Sequence, residues 1–324
     1  MIITETPLRV SLLGGGTDFE DYYREHGGAV LSSAIDKRVY VIVKRRYDDM
    51  IYVNYSRKEI VERMDDLEHD LIREAMRLTG VERGIEVTTL SDIPDGGTGL
   101  GSSSSVTVGV LHALHLLRGY RPAKELLARQ ACQIEIDILG KPIGRQDQYI
   151  AAYGGLRYIT FDNTGVCVHC VQVPDVTWRR LNESLCLFYT GQSRQASGVL
   201  REQRENIPLR LEVLRELRCL AYLGRLSLES HADSLGELMH RGWELKRQLA
   251  SGISTPQLDA MYAAALEAGA TGGKIAGAGG GGFLLLFVPP ERQQAVRTAL
   301  AGLKEWKFNL SPHGSRVIFE YEEG

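Results

Sequence analysis

The chain has 324 residues and a formal net charge of −3 at pH 7, with 38 basic side chains against 41 acidic ones. That length supports a sizeable core, in one large domain or two lobes, and the balanced charge offers neither a basic field for nucleic acid nor a polybasic patch for a membrane surface. No apolar run approaches the ~20 residues of a membrane span, MIITETPLRV lacks the basic and apolar regions of a signal peptide, and five cysteines, an odd number, read as reduced thiols of a cytoplasmic protein.

In chain order, the first stretch reads as strands over Thr6 to Leu13, Ala29 to Ile35, Val39 to Arg46 and Met50 to Tyr55. Asp65 to Leu78 reads as a helix, acidic early and carrying Arg73 and Arg77 late, which suits the helix dipole. Gly84 to Ile93 is rich in β-branched residues and reads as a strand. Val106 to Leu117 is apolar and long enough for a buried helix. Pro122 opens the next helix, which ends at Gly140 and has Leu127, Ala131, Ile134 and Ile138 as its apolar stripe. A short helix follows over Arg145 to Tyr153, then a hairpin of Leu156 to Phe161 and Val166 to Val173. Within that hairpin Cys167 and Cys170 form C-x-x-C, but there is no second pair for zinc, and a strand sends residues three apart to opposite faces. A lobe boundary falls between Asp175 and Glu183, dividing the chain into 1–178 and 179–324. Leu185 to Thr190 is a strand. From Gln195 to Ala268 the chain is mostly helical, with breaks near Pro208, Gly224, Gly252 and Pro256. KIAGAGGGGFLLLFV returns to strand, turn and strand; a helix from Pro290 to Leu303 and a strand over Arg316 to Tyr321 complete the chain. The class is α+β.

The stretch PDGGTGLGSSSS, 94–105, carries the first chemical signal. It joins a strand to an apolar helix, so it is a turn whose serines open that helix rather than a flexible linker. Such a turn presents unpaired backbone N–H groups and the positive end of a helix dipole. Glycines let that backbone approach an anion. The expectation is a phosphate-binding loop. It is not a Walker loop, because Ser102 stands where the lysine belongs after Gly96 and Gly101. Gly277, Gly279 and Gly282 match the dinucleotide spacing, but that run precedes a strand rather than a helix.

Three special loops stand in order: PLRVSLLGGGTDF at 7–19, PDGGTGLGSSSS at 94–105 and KIAGAGGGG at 274–282. With them the chain resembles the GHMP kinase superfamily over nearly its whole length. The resemblance implies a two-lobed fold. Its N-terminal lobe resembles a ribosomal protein S5 domain and its C-terminal lobe is ferredoxin-like. It also implies ATP on the serine loop, held by Gly97, Gly99, Leu100, Gly101, Ser102, Ser103, Ser104 and Ser105. GRQDQY puts Asp147 in the place of the family's catalytic aspartate, and Arg9 matches an arginine lying near it. Glu135 stands where the family places a magnesium-binding glutamate, with Ser103 as the hydroxyl that shares the ion. These types suit phosphoryl transfer, which needs positioning and charge neutralisation, from a magnesium ion that takes few protein carboxylates. Each residue also has a plainer reading: Glu135 as a solvated helix residue, Asp147 as a helix-start carboxylate, and GAGGGG as a tight hairpin.

Within the superfamily, GGGTD, YREHGGAVLSSAIDKRVY, GRQDQYIAAYGGL and YTGQSRQAS resemble the D-glycero-α-D-manno-heptose 7-phosphate kinases. Galactokinases carry G-E-H-T-D at the first loop, so here two sugar-binding side chains are replaced by glycines. The resemblance implies phosphorylation of a sugar phosphate, with substrate contacts from Gly15, Gly16, Thr17, Asp18, Asp147, Gly279 and Gly280. A sugar that already carries a phosphate needs a second anion site. Ser193, Arg194 and Ser197 could form it, because arginine binds phosphate bidentately; Lys37 and Arg38 are a second candidate pair. Two other readings stay open: a fucokinase-like enzyme acting on an unphosphorylated sugar, and a non-catalytic sugar-binding regulator.

Overall fold

Strand β1 (Ile2–Leu13) is buried along nearly its whole length, because helices pack on the sheet it lies in. After helix α1 (Glu20–His26), strand β2 (Gly28–Arg45) runs antiparallel to β1. The computed structural model describes residues 1–93, 98–192, 196–230, 232 and 234–321. The sequence suggested two strands here, broken at the charged residues 36–38. They are one strand that changes partner. Gly28–Ser33 pair with a later strand on the same edge that Val39–Arg45 offer to another. The charged residues fall in the interval between the two partners.

The remaining elements of the first half are β3 (Ile51–Asn54), β4 (Lys58–Val61), α2 (Asp70–Thr79), β5 (Ile85–Ser91), α3 (Ser102–Leu117), α4 (Lys124–Cys132), α5 (Gln146–Tyr153), β6 (Leu156–Asp162) and β7 (Gly165–Cys170). Helix α2 starts five residues later than the charge pattern suggested. Asp65 and Asp66 form a separate 3-10 turn, and His69 caps α2 by accepting from the Ile72 N–H. Helix α4 continues without interruption into a π-helical turn, Gln133–Ile138. There the Leu139 N–H donates to the Ile134 carbonyl, five residues back. The wider winding rotates the following residues. Ile138, expected in the apolar stripe, is exposed, and Glu135 is fully buried.

The second half begins with α6 (Asp175–Ser184), a helix where the sequence suggested only a lobe boundary. It continues through β8 (Leu185–Tyr189), α7 (Ala196–Glu205), α8 (Leu211–Ser230), α9 (Leu235–Lys246), α10 (Pro256–Glu267), β9 (Gly272–Ile275), β10 (Phe283–Phe287), α11 (Gln293–Ala299), β11 (Lys304–Glu305) and β12 (Arg316–Glu320). Helix α8 does not break at Gly224. A Cβ on Gly224 would sit 2.3 Å from Leu13 Cδ1 and 3.0 Å from Leu31 Cδ2. The glycine therefore lets the helix lie against the first sheet, at a propensity cost of about 1 kcal/mol relative to alanine.

The first sheet has the order β12-β1-β2-β5-β3-β4, with β6 also on β2 and β7 outside β6. All pairs are antiparallel except β3 with β5. Helices α3 and α5 cover it, with α8 reaching it from the second half. The second sheet is β11-β8-β10-β9. In its own chain order that is 4-1-3-2 with helices after the first and third strands, the ferredoxin-like arrangement. Cys167 and Cys170 sit on β7 as exposed free thiols.

Candidate active site

The serine loop enters α3 through Gly101, whose φ of +78° lies in the left-handed region. A side chain there would also crowd Arg9 Cγ at 3.1 Å and Asp147 Oδ2 at 3.3 Å. Both constraints select glycine. Thr98, Gly99, Gly101, Ser102, Ser103 and Ser104 line a cavity of about 510 Å³. A 16-residue helix therefore points its N-terminus at open space, which is a site for anionic oxygens. Leu100 and Ser105 do not line the cavity. The Leu100 carbonyl accepts from the Arg9 N–H at 3.0 Å, and Ser105 Oγ donates to the Pro7 carbonyl at 2.7 Å. They fasten the loop to β1. Gly97 lies outside the described residues.

Across the cavity, Asp147 occupies the first turn of α5. Arg9 Nε and Nη2 each donate to one of its carboxylate oxygens at 2.7 Å. The third guanidinium nitrogen donates to the Gly99 carbonyl at 2.5 Å. One side chain thus joins the carboxylate to the phosphate loop. Arg9 is 5% exposed, while the Asp147 side chain keeps 24% and faces the cavity.

Glu135 is held by three donors. Ser103 Oγ donates at 2.5 Å, Ser104 Oγ at 2.7 Å and Gln148 Nε2 at 2.8 Å. Lys141 Nζ stands 3.8 Å from Oε1. Burial pushes the Glu135 carboxyl above the usual range, opposed by Lys141 and the three donors. Carboxylate and hydroxyl oxygens are hard donors, and this carboxylate is short of positive charge, so Glu135 with Ser103 fits a magnesium ion.

Asp18 ends the GGGTD turn. It is 2% exposed and accepts from the Gly16 N–H at 3.0 Å and from Gln146 Nε2 at 3.2 Å. Burial raises its pKa, with the charge of Asp147 adding to the shift against the backbone donors. Gly144, in the run before Asp147, has to be glycine: a Cβ would fall 2.0 Å from Asp18 Oδ2. Gly16 and Asp18 line the cavity. Thr17 is fully buried; its hydroxyl lies within donating distance of the Gly14 and Ala29 carbonyls, at 2.9 and 2.8 Å, and accepts from the Ala29 N–H, which stitches the turn to β2.

The third loop packs directly on the first half. A Cβ on Gly277 would sit 2.5 Å from Gly99 Cα, and one on Gly99 would sit 2.4 Å from the Ala276 carbonyl oxygen. The cavity wall is formed by Gly277 and Ala278. Gly279 and Gly280 back onto Ile253, whose carbonyl accepts from the Gly280 N–H at 2.8 Å. Ser197 lines the cavity from α7; Ser193 and Arg194 lie outside the described residues. Lys37 and Arg38 do not line it. Lys37 lies over the Trp306 ring, and Arg38 pairs with Glu5.

Four cavity residues were not singled out from the sequence: Ser11, Gln146, Gln203 and Lys246. Ser11 Oγ, Gln146 Oε1 and Gln203 Oε1 are buried without a hydrogen-bond partner among the described residues. Lys246 is 6% exposed at the end of α9, and its Nζ donates to the Gly277 carbonyl at 2.9 Å. In the sequence, Lys246 and Gln203 fall within the long helical stretch from Gln195 to Ala268, and nothing local marks them. Gln146, beside Asp147, had a signal through its place in GRQDQY, and Ser11 through its place in PLRVSLLGGGTDF.

The family model for the GHMP kinases N terminal domain matches residues 67–155, and the one for the GHMP kinases C terminal region matches residues 199–304. The chain is 29% identical over 315 residues to D-glycero-alpha-D-manno-heptose 7-phosphate kinase of Campylobacter jejuni, covering 92% of this chain and 93% of that one. It is 27% identical over 354 residues to mevalonate kinase of Pyrococcus abyssi, covering 98% of each. The crystal structure of a D-glycero-D-manno-heptose 1-phosphate kinase from Bacteroides thetaiotaomicron matches with a TM-score of 0.83 at 25% identity, covering 99% of this chain and 100% of that one. The first model spans the serine loop, Glu135 and Asp147, and the second spans Lys246 and Gly277. The chain belongs to the GHMP kinase superfamily, and its chemistry is ATP-dependent phosphoryl transfer to an alcohol group.

Proposed function

We propose that this protein phosphorylates the anomeric C1 hydroxyl of D-glycero-α-D-manno-heptose 7-phosphate, giving the 1,7-bisphosphate and ADP, with magnesium as cofactor. The product would feed nucleotide-activated heptose for surface polysaccharide. The observation that carries the reading is the polar acceptor end of the cavity. Asp18, Ser11, Gln146 and Gln203 surround the space in front of Asp147, three of them with unpartnered buried acceptor atoms. Buried polar atoms without partners are costly, and a ligand with many hydroxyls supplies the missing donors. Mevalonate has too few hydroxyls for all of them. Similarity to two heptose phosphate kinases supports the same choice.

Asp147 accepts the proton of the attacking hydroxyl. The hydroxyl oxygen then bonds to the γ-phosphorus, and ADP leaves with the bridging oxygen's electron pair. Arg9 fixes the carboxylate at both oxygens and sets a positive charge beside the transferring group. Backbone N–H groups of the serine loop hold the phosphates. Glu135 and Ser103 would hold magnesium, which supplies neutralising charge to the phosphate oxygens when bound. No helix among the described residues is long and apolar enough to cross a membrane.

A coupled ADP-release assay tests this over heptose 7-phosphate, mannose 6-phosphate, sedoheptulose 7-phosphate, fucose, galactose, mannose and mevalonate. Phosphorus NMR would identify any product. The expected result is preference for heptose 7-phosphate and a new anomeric phosphate. Preference for fucose or mevalonate overturns the substrate.

A further inference from the structure

We infer that Lys246 is the acceptor-selecting residue of this kinase: its ammonium donates to a hydroxyl oxygen of the sugar across the cavity from Asp147. This rests on the sugar-kinase reading above.

A lysine in the last turn of a helix normally reaches water, where it also favours the dipole. Lys246 does neither. Its side chain turns into the protein at 6% exposure, and no carboxylate lies within ion-pair distance of it among the described residues. An ammonium has three donors. One is used on the Gly277 carbonyl, and the residue lines the cavity. Desolvation of this kind destabilises a fold unless the charge is paired and hydrogen-bonded, and one carbonyl offsets it only in part. Burial accordingly lowers its pKa to about 8, with Asp18 and Asp147 opposing the shift.

The geometry around Gly15 gives the ammonium its target. A Cβ on Gly15 would lie 3.5 Å from Lys246 Nζ, 3.5 Å from Ser11 Oγ and 3.8 Å from Gln146 Nε2. Gly15 is not among the positive-φ glycines, unlike Gly14 and Gly16. The backbone does not demand glycine there; the missing side chain leaves room on which three polar groups converge. With the unpartnered oxygens of Ser11, Gln146 and Gln203, the site offers a strong donor among acceptors. Neighbouring hydroxyls of a sugar both accept and donate, and they match that mixture. Ser11 and Gln146 come from the first half and Lys246 and Gln203 from the second, so the acceptor itself bridges the two.

The competing role is structural: Lys246 could only pin the third loop through Gly277, which packs on Gly99 of the phosphate loop. The two roles differ in what a substitution does to each substrate. Lys246→Met should raise the acceptor KM by about tenfold or more, leave the ATP KM within about twofold, and keep the thermal midpoint at or above that of the wild type. Lys246→Gln, uncharged and one atom shorter, should show the same split. An acceptor KM unchanged in both variants, or acceptor and ATP KM rising together, overturns the inference. The wild-type panel separates the two readings. If the wild type prefers fucose and Lys246→Met loses it, the inference stands and the heptose reading fails. If the wild type prefers heptose 7-phosphate and Lys246→Met matches it, the inference fails alone. If no sugar is turned over, both fail.

Discussion

Arg9 grips both carboxylate oxygens of Asp147, at 2.7 Å each, across 138 residues of sequence. Two parallel donors from one guanidinium leave the carboxylate one orientation. Replacing Asp147 with Asn keeps the shape but removes the proton acceptor and presents an NH2 group to a guanidinium. Turnover should fall by about 10²–10⁴-fold, with the ATP KM within about threefold of wild type because the serine loop is untouched. Steady-state kinetics at saturating acceptor would check this; normal turnover would remove Asp147 from the mechanism.

Glu135 is buried, and its pKa is raised by that burial. A cation at this site would relieve the desolvated charge. Glu135→Gln and Ser103→Ala should therefore raise the free magnesium needed for half-maximal rate, the first by about tenfold or more. Turnover should stop on adding a chelator and return with magnesium. Magnesium titration at fixed nucleotide decides it: identical curves for wild type and both variants would place the ion elsewhere.

Gly277→Ala introduces a methyl 2.5 Å from Gly99 Cα at a residue with φ +68°. Neither backbone can yield without opening the contact between the second and third glycine loops. The expected cost is about 1–3 kcal/mol of stability, together with a raised ATP KM. Denaturation and kinetics on the same preparation would show both changes, and an unaffected ATP KM would mean that the two loops are energetically independent.

Lys246 gives a pH signature. Its pKa in the folded chain, about 8, lies below the ordinary 10.5. Between those values the unfolded chain holds a proton that the folded chain does not, so folding stability rises with pH through that window. Wild type should gain on Lys246→Met by up to ~3 kcal/mol as pH rises from 8 to beyond 10. Urea denaturation at pH 7 and pH 9.5 tests the sign. A constant difference would show that the ammonium is not desolvated.

Much of the arrangement was legible because it depends on local backbone demands. The serine loop announced itself through glycines between a strand and an apolar helix, and α3 begins at Ser102 as its serines implied. The three glycine loops do not lie together in sequence; it took a family resemblance to group them, and the fold brings Gly99 against Gly277. What escaped notice depends on tertiary packing. The exposure of Ile138 follows from a π-helical turn that no periodicity encodes, since an apolar stripe read at 3.6 residues per turn puts it inside, whereas Glu135 already flanked that stripe beside Ile134. Gly224 looked like a helix break, yet it is the point where α8 touches Leu13. Lys246 and Gln203 resemble any charged or polar helix residue until the opposite half of the cavity is in place.

The position of β12 bears on how this enzyme is made. Arg316–Glu320 pair with β1, the strand that carries Arg9. A growing chain on the ribosome exposes one edge of β1 at Ile2–Glu5 until Arg316 has been synthesised, long after the match to the N terminal domain ends at residue 155. An unpaired strand edge is a template for intermolecular pairing, and long-range pairing forms late. The nascent protein therefore depends on β12, made about 300 residues later, to protect β1, and chains truncated ahead of Arg316 should be drawn toward aggregation and holdase chaperones rather than left as a weakened but soluble kinase.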